Sequence, residues 1–229
     1  MAKKNKNTLR RIALAAALML ALAGLNGGWV RNSLASHPKS LFDDPDSPVT
    51  GNPKGGVTLI EFFDYHCGVC KSVLKVVMTV LEDEPDVRLI FKEYPILGRE
   101  SVVAARAALA ANAQDPRKYV PFHIALMSSR GLLTEPRILR LARGVGLDPE
   151  RLKTAMFAPE ILQAIKRNWA LADALRIRGT PAFVIGDKVI PGAVSLKALK
   201  RYIAEARADL GGKQFSARAI ALQRGRLRL

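Results

Sequence analysis

The stretch Val57-Thr58-Leu59-Ile60-Glu61-Phe62-Phe63-Asp64-Tyr65-His66-Cys67-Gly68-Val69-Cys70 decides the fold. Its first seven residues form a nearly continuous apolar run broken only by Glu61, the pattern of a strand buried on both faces. From Cys70 onward, Val73, Leu74, Val77, Val80 and Leu81 recur at helical spacing, and Pro85 marks the stop. Val87 to Tyr94 reads as a second strand, closed by Pro95. Strand, helix and strand in about forty residues make a βαβ unit.

Downstream, 99–178 reads as an all-helical insertion. An Ala-rich helix covers 101–112 and a second covers 117–127 around Phe122 and Leu126. Thr134-Glu135-Pro136 and Asp148-Pro149 place capping residues beside first-turn prolines and open two more. Leu162, Ile165, Trp169, Ala172 and Leu175 mark a long fifth. Extended structure returns at Pro181 to Ile185, turns at Gly186-Asp187 and comes back through Lys188 to Ile190 as a hairpin. A last helix opens near Ser195. The expected class is α/β: βαβ, a helical insertion, then ββα. Residues 36–56 are rich in Pro, Asp, Ser and Gly and read as a leader loop, with order beginning at Val57.

Composition sets outer limits. With 229 residues, 49% of them hydrophobic, the chain suits one globular domain plus extensions and is too apolar for a disordered protein. Two cysteines cannot make a four-cysteine zinc or iron–sulfur site. The net charge of +16 sits largely at the ends: five basic residues lie in the first eleven and five in an acid-free tail, which leaves +6 for the body. Nucleic-acid binding is therefore not expected. The basic start runs into apolar Ile12–Leu25 and then Asn26-Gly27-Gly28, the shape of a secretory signal over 1–35 with cleavage after Ala35. An uncleaved anchor is the competing reading, although the apolar run is short of about 20 residues. Export places the cysteines in an oxidising compartment.

Cys67-Gly68-Val69-Cys70 follows a buried strand and opens a helix, and that context makes a common spacing specific. Cys67 should meet unpaired N–H groups at the helix start, which favour the nucleophilic thiolate, while Cys70 should be shielded. Lowering a thiol pKa by roughly three units takes about 4 kcal/mol, and a helix terminus supplies about 0.3 to 1 and at most about 2. Hydrogen bonds to the sulfur must supply the rest. His66 could add positive charge; Val69 cannot. An oxidant of intermediate strength follows, short of the strongest but above a reductant near −270 mV. A purely structural disulfide would close a tiny loop and stabilise little. A metal half-site with His66 or His123 lacks a second cysteine pair. The pair needs no bound cofactor.

Glu61 is costly to bury as a carboxylate, so either its side chain escapes to an edge or its pKa rises and it handles protons, as deprotonation of Cys70 requires. Thr180-Pro181 opens the hairpin strand, where sequence alone favours a trans bond. A cis bond would turn the Thr180 backbone outward, able to hold an extended substrate by strand addition.

The chain resembles the DsbA-like thiol-disulfide oxidoreductases of the thioredoxin superfamily, proteins of the bacterial envelope. The carriers are Asp46-Ser47-Pro48-Val49, Gly51-Asn52-Pro53, Glu61 through Lys71, and Gly179-Thr180-Pro181-Ala182-Phe183-Val184. The resemblance implies a thioredoxin-like fold over 57–211, Cys67 as nucleophile, Cys70 as resolving thiol, Glu61 as buried acid and Pro181 as a cis proline. It implies disulfide transfer to reduced exported proteins and reoxidation by a quinone-linked membrane partner in the periplasm or envelope. Gly-Val between the cysteines departs from the oxidase Pro-His, and threonine before Pro181 is similar to isomerase and reductase relatives. The alternatives are therefore an isomerase or reductase kept as a dithiol, acting on misfolded proteins, or a metal-binding or chaperone-like module. The tail of 212–229 alternates basic and apolar residues and reads either as a solvated extension or as a weak contact with anionic lipid.

Overall fold

A computed structural model of the chain describes residues 39–210. The expected signal sequence, its possible anchor role and the basic tail lie outside the described residues. The apolar run of the opening stretch forms β2 (Val57–Phe63), and α2 (Gly68–Asp83) leads from it to β3 (Val87–Glu93). β2 and β3 pair in parallel from Val57 opposite Val87 to Phe63 opposite Glu93, as a βαβ unit requires. The helical block contains α3 (Arg99–Gln114), α4 (Pro116–Ser128), α5 (Glu135–Gly144), α6 (Pro149–Ala155) and α7 (Pro159–Ala174). The hairpin of β4 (Ala182–Ile185) and β5 (Lys188–Pro191) then joins the sheet through β2, and a final helix, α8, spans 196–210. Asp148 caps α6 through the N–H groups of Glu150 and Arg151, whereas Thr134 makes no side-chain cap on α5.

The leader departs from the expectation of an unstructured loop. Residues Lys39–Phe42 form one helical turn, α1, and Val49–Gly51 form strand β1, antiparallel to β3. The physical reason is burial: Leu41 is fully buried, and Lys92 on β3 reaches the Ser40 carbonyl and the Ser47 hydroxyl. Polar composition hid those tertiary contacts. The five-stranded sheet has the order β1-β3-β2-β4-β5.

Both central strands are buried nearly throughout because the sheet is covered on two sides. Leu59, Phe63, Leu89, Phe91 and Phe183 belong to the larger core, which also takes in both cysteines and α2 through α7. Ile60, Phe62, Ile90 and Val184 face the other way, against Leu41, Leu171 and Ala172. Alternation along β2 thus puts Glu61 on the cysteine side, opposite Phe91 and Phe183 in register.

Candidate active site

Cys67 is the N-cap of α2, with extended backbone, and its sulfur accepts a hydrogen bond from the Cys70 N–H at 3.3 Å. One of the helix's unpaired donors is thereby satisfied by sulfur. Both cysteines are thiols, and the Cys67 Sγ also donates to the Thr180 carbonyl at 3.3 Å. The Thr180-Pro181 bond is cis. Cys67 retains 7% exposure, Cys70 none, and Val69 between them is 45% exposed. Access from solvent therefore runs to Cys67 alone. Burial pushes the Cys70 thiol far above the ordinary cysteine range, helped by the neighbouring Cys67 sulfur and opposed by the Asp64 main chain and the Thr180 side chain.

Asp64 holds this loop in place, a role the sequence reading missed. Its buried carboxylate accepts four hydrogen bonds: from the His66 N–H (2.7 Å) and Ser101 hydroxyl (2.7 Å) on Oδ1, and from the Ile96 N–H (2.8 Å) and Leu97 N–H (3.0 Å) on Oδ2. The cysteine loop, the exit from β3 and the start of α3 are tied to one anion. The available signal was an acid between a buried strand and a cysteine, the reasoning already applied to Glu61.

Of the two alternatives for Glu61, the structure shows burial: 3% exposed, no hydrogen bond to a described residue, and a pKa pushed up to about 8 by desolvation. It shares the sheet face with the cysteines but bonds to neither. His66 makes no hydrogen bond to either sulfur: its main-chain N–H serves Asp64, and its buried Nε2 has no partner among the described residues. His123, read as a possible ligand, is instead buried against Phe63, Phe91 and Tyr119, with its Nδ1 3.1 Å from the Tyr65 hydroxyl. Among the described residues no three His, Cys, Asp or Glu gather as a metal site.

A second buried acid went unnoticed. Glu93 Oε1 accepts the hydroxyls of Tyr65 (3.0 Å) and Tyr119 (2.9 Å), while Oε2 has no partner among the described residues. Burial raises its pKa well above the usual carboxylate range. Lys92-Glu93, inside an apolar strand, carried the same signal as Glu61.

A vicinal thiol pair with one accessible sulfur at a helix start, beside a cis proline in a thioredoxin-like sheet, defines a thiol-disulfide oxidoreductase. The family model for the DSBA-like thioredoxin domain matches residues 58–204, and the chain belongs to that family. A thioredoxin-like oxidoreductase from Silicibacter pomeroyi DSS-3 is 47% identical with a TM-score of 0.71, covering 74% of this chain and 96% of that one. Disulfide bond formation protein D of Bacillus subtilis is 26% identical over 72% of this chain and 78% of its own length. Na(+)/H(+) antiporter NhaA 1 of Salinispora arenicola is 25% identical over 71% of this chain. The chain spans only about a quarter of the antiporters' length, 25% for that protein and 26% for a second.

Proposed function

We propose that this protein is an exported oxidase that passes a Cys67–Cys70 disulfide to reduced envelope proteins. The observation that carries the reading is the difference between the two sulfurs: one is reachable and hydrogen-bonded at the helix cap, the other buried. A substrate thiolate attacks Cys67 Sγ, the S–S bond breaks, and Cys70 leaves with the electron pair and takes a proton. The high pKa of Cys70 favours that proton uptake and slows its return attack. A second substrate thiol, losing its proton, then attacks the substrate sulfur of the mixed disulfide and releases Cys67. Two substrate thiols become a disulfide and the enzyme pair becomes a dithiol. Glu61 is the proton-handling acid, and the Thr180 edge beside Cys67 holds the substrate strand.

The name of the Bacillus relative supports the oxidising direction. A quinone-linked membrane partner would restore the disulfide. Threonine before Pro181 favours a second reading, an isomerase or reductase kept as a dithiol. Equilibration with glutathione, together with turnover on a reduced multi-cysteine protein, separates the two. The oxidase reading expects net disulfide formation that Cys67→Ser abolishes. A potential near −270 mV, with reduction outrunning oxidation, would support the second reading.

A further inference from the structure

Beside the exchange edge lies a cavity of about 450 Å³, floored by Ile177, Pro181, Val189 and Pro191. Thr180 belongs to the same lining, so the cavity borders the residue whose carbonyl touches Cys67, while its apolar residues Ile177, Ala182 and Val189 lie on the sheet face turned away from the cysteines. The only ionisable side chains that line it are Arg176 and Arg178; no acid does. Both are exposed. Arg178 pairs with Asp173 at 2.7 Å in solvent, whereas Arg176 has no ion pair with a described residue. The backbone adds an independent observation. Helix α7 closes with the Arg176 N–H on the Asp173 carbonyl and the Ile177 N–H on the Ala172 carbonyl, which puts Arg176 at φ 57°. Glycine is the residue that position favours, and Arg176 is the only non-glycine residue at positive φ among the described residues. A strained backbone position that carries a charged side chain into a pocket points to use of that side chain.

We propose that Arg176 and Arg178 form a specificity subsite that selects substrate segments with an acidic residue next to the target cysteine. This rests on the reading above, in which Cys67 reacts with a polypeptide thiol. The apolar floor takes the aliphatic part of the flanking residue and the two guanidiniums meet its carboxylate at the rim. At such a rim, charge acts chiefly on the encounter rate and fades with salt.

The test uses oxidised full-length protein and three single-cysteine peptides flanked by glutamate, alanine or lysine. Mixed-disulfide formation is timed at low ionic strength, and each rate is divided by the same peptide's rate with hydroxyethyl disulfide, which removes the effect of flanking charge on the peptide thiol. The expected order is glutamate, alanine, lysine, with about fivefold between the extremes. The ratio falls below about twofold in the Arg176→Ala/Arg178→Ala double variant and in high salt, and is kept in Arg140→Ala, which removes an exposed charge from α5. Arg176→Gly, which relieves the backbone, raises the melting temperature while lowering the ratio. Equal rates for the three peptides overturn the subsite, as does an equal loss of preference in Arg140→Ala, which would assign it to the overall positive charge. Reaction with dithiothreitol keeps the two claims apart: its failure sinks the oxidoreductase reading itself, whereas its success with unselective peptides sinks the subsite alone.

Discussion

The two faces of the sheet bury ionisable groups by different means. On the far side, Lys92 is completely buried yet served: the Ser47 hydroxyl at 2.8 Å, the Ser40 carbonyl at 3.1 Å and Asp44 at 3.9 Å all face its ammonium. Asp44 is in turn held by Arg167, which also pairs with Asp46. On the cysteine side, Glu61 has no hydrogen-bond partner among the described residues and Glu93 keeps one oxygen unpaired. Partners make a buried charge structural. Their absence makes a proton the cheapest neutraliser, and a proton can move. Variants on the far face should therefore change stability and leave thiol exchange untouched, and Glu61 on the near face should change the pH dependence of exchange as well.

The largest effect is expected at Glu61. The folded protein keeps its proton up to pH about 8, while an ordinary glutamate releases it near 4.5. The folded state thus binds more protons across that window, so stability falls as pH rises from 4.5 to 8 and is flat above. Glu61→Gln removes the slope: urea unfolding should show a gain of at most about 5 kcal/mol above pH 8 that vanishes near pH 4.5. In the same variant the pH-rate profile for resolution of the mixed disulfide should lose its limb near 8. An unchanged profile would reduce Glu61 to a packing residue.

Glu61 and the cysteines were legible because each breaks a local rule: an acid in an apolar strand, a thiol pair at a strand-to-helix turn. The leader was not, because α1 and β1 exist through burial of Leu41 and pairing with β3, interactions that no window of 36–56 contains. What His66 does for the sulfurs is not legible in the same way, because adjacency in sequence does not say where a side chain turns. The cis bond at Thr180-Pro181 was legible only through the family resemblance, since proline alone favours trans. Arg176 gave no signal in one dimension; its meaning lies in a dihedral angle and a cavity.

The next effect tests the far face. Asp44→Ala leaves the Lys92 ammonium with two neutral oxygens and Arg167 with Asp46 alone, and should cost about 3 kcal/mol at pH 7, read by chemical denaturation. Burial already lowers the Lys92 pKa to about 8, against the upward pull of Asp44. Without Asp44 the lysine loses its proton at a lower pH still, so the deficit should shrink as pH rises toward 8 and stay level above it. Thiol exchange per folded molecule should be unchanged; a slowed exchange would mean that the faces are not separable.

The smallest effect, that of Glu93→Gln, decides what the near face holds. If Glu93 is a neutral acid, as its raised pKa directs, its Oε1 accepts two tyrosine hydroxyls and its proton sits on the oxygen without a partner. Glutamine reproduces that arrangement, with one carbonyl acceptor and an amide where the acid carried its proton. Glu93→Gln should then change stability by no more than about 1 kcal/mol at pH 7, whereas Glu93→Ala, which strands the Tyr119 hydroxyl and leaves Tyr65 only His123, should cost about 1 to 3. A carboxylate would behave otherwise, because the glutamine would exchange two charge-assisted bonds for neutral ones and lose about 2 kcal/mol or more. His123 cannot rescue the charged alternative: burial holds its pKa down at about 3, so no imidazolium stands behind Tyr65 to balance an anion at neutral pH. Comparing the two variants at one pH therefore reads the protonation state of a group that no sulfur touches, and with it whether unpaired acids on this face are kept neutral by protons.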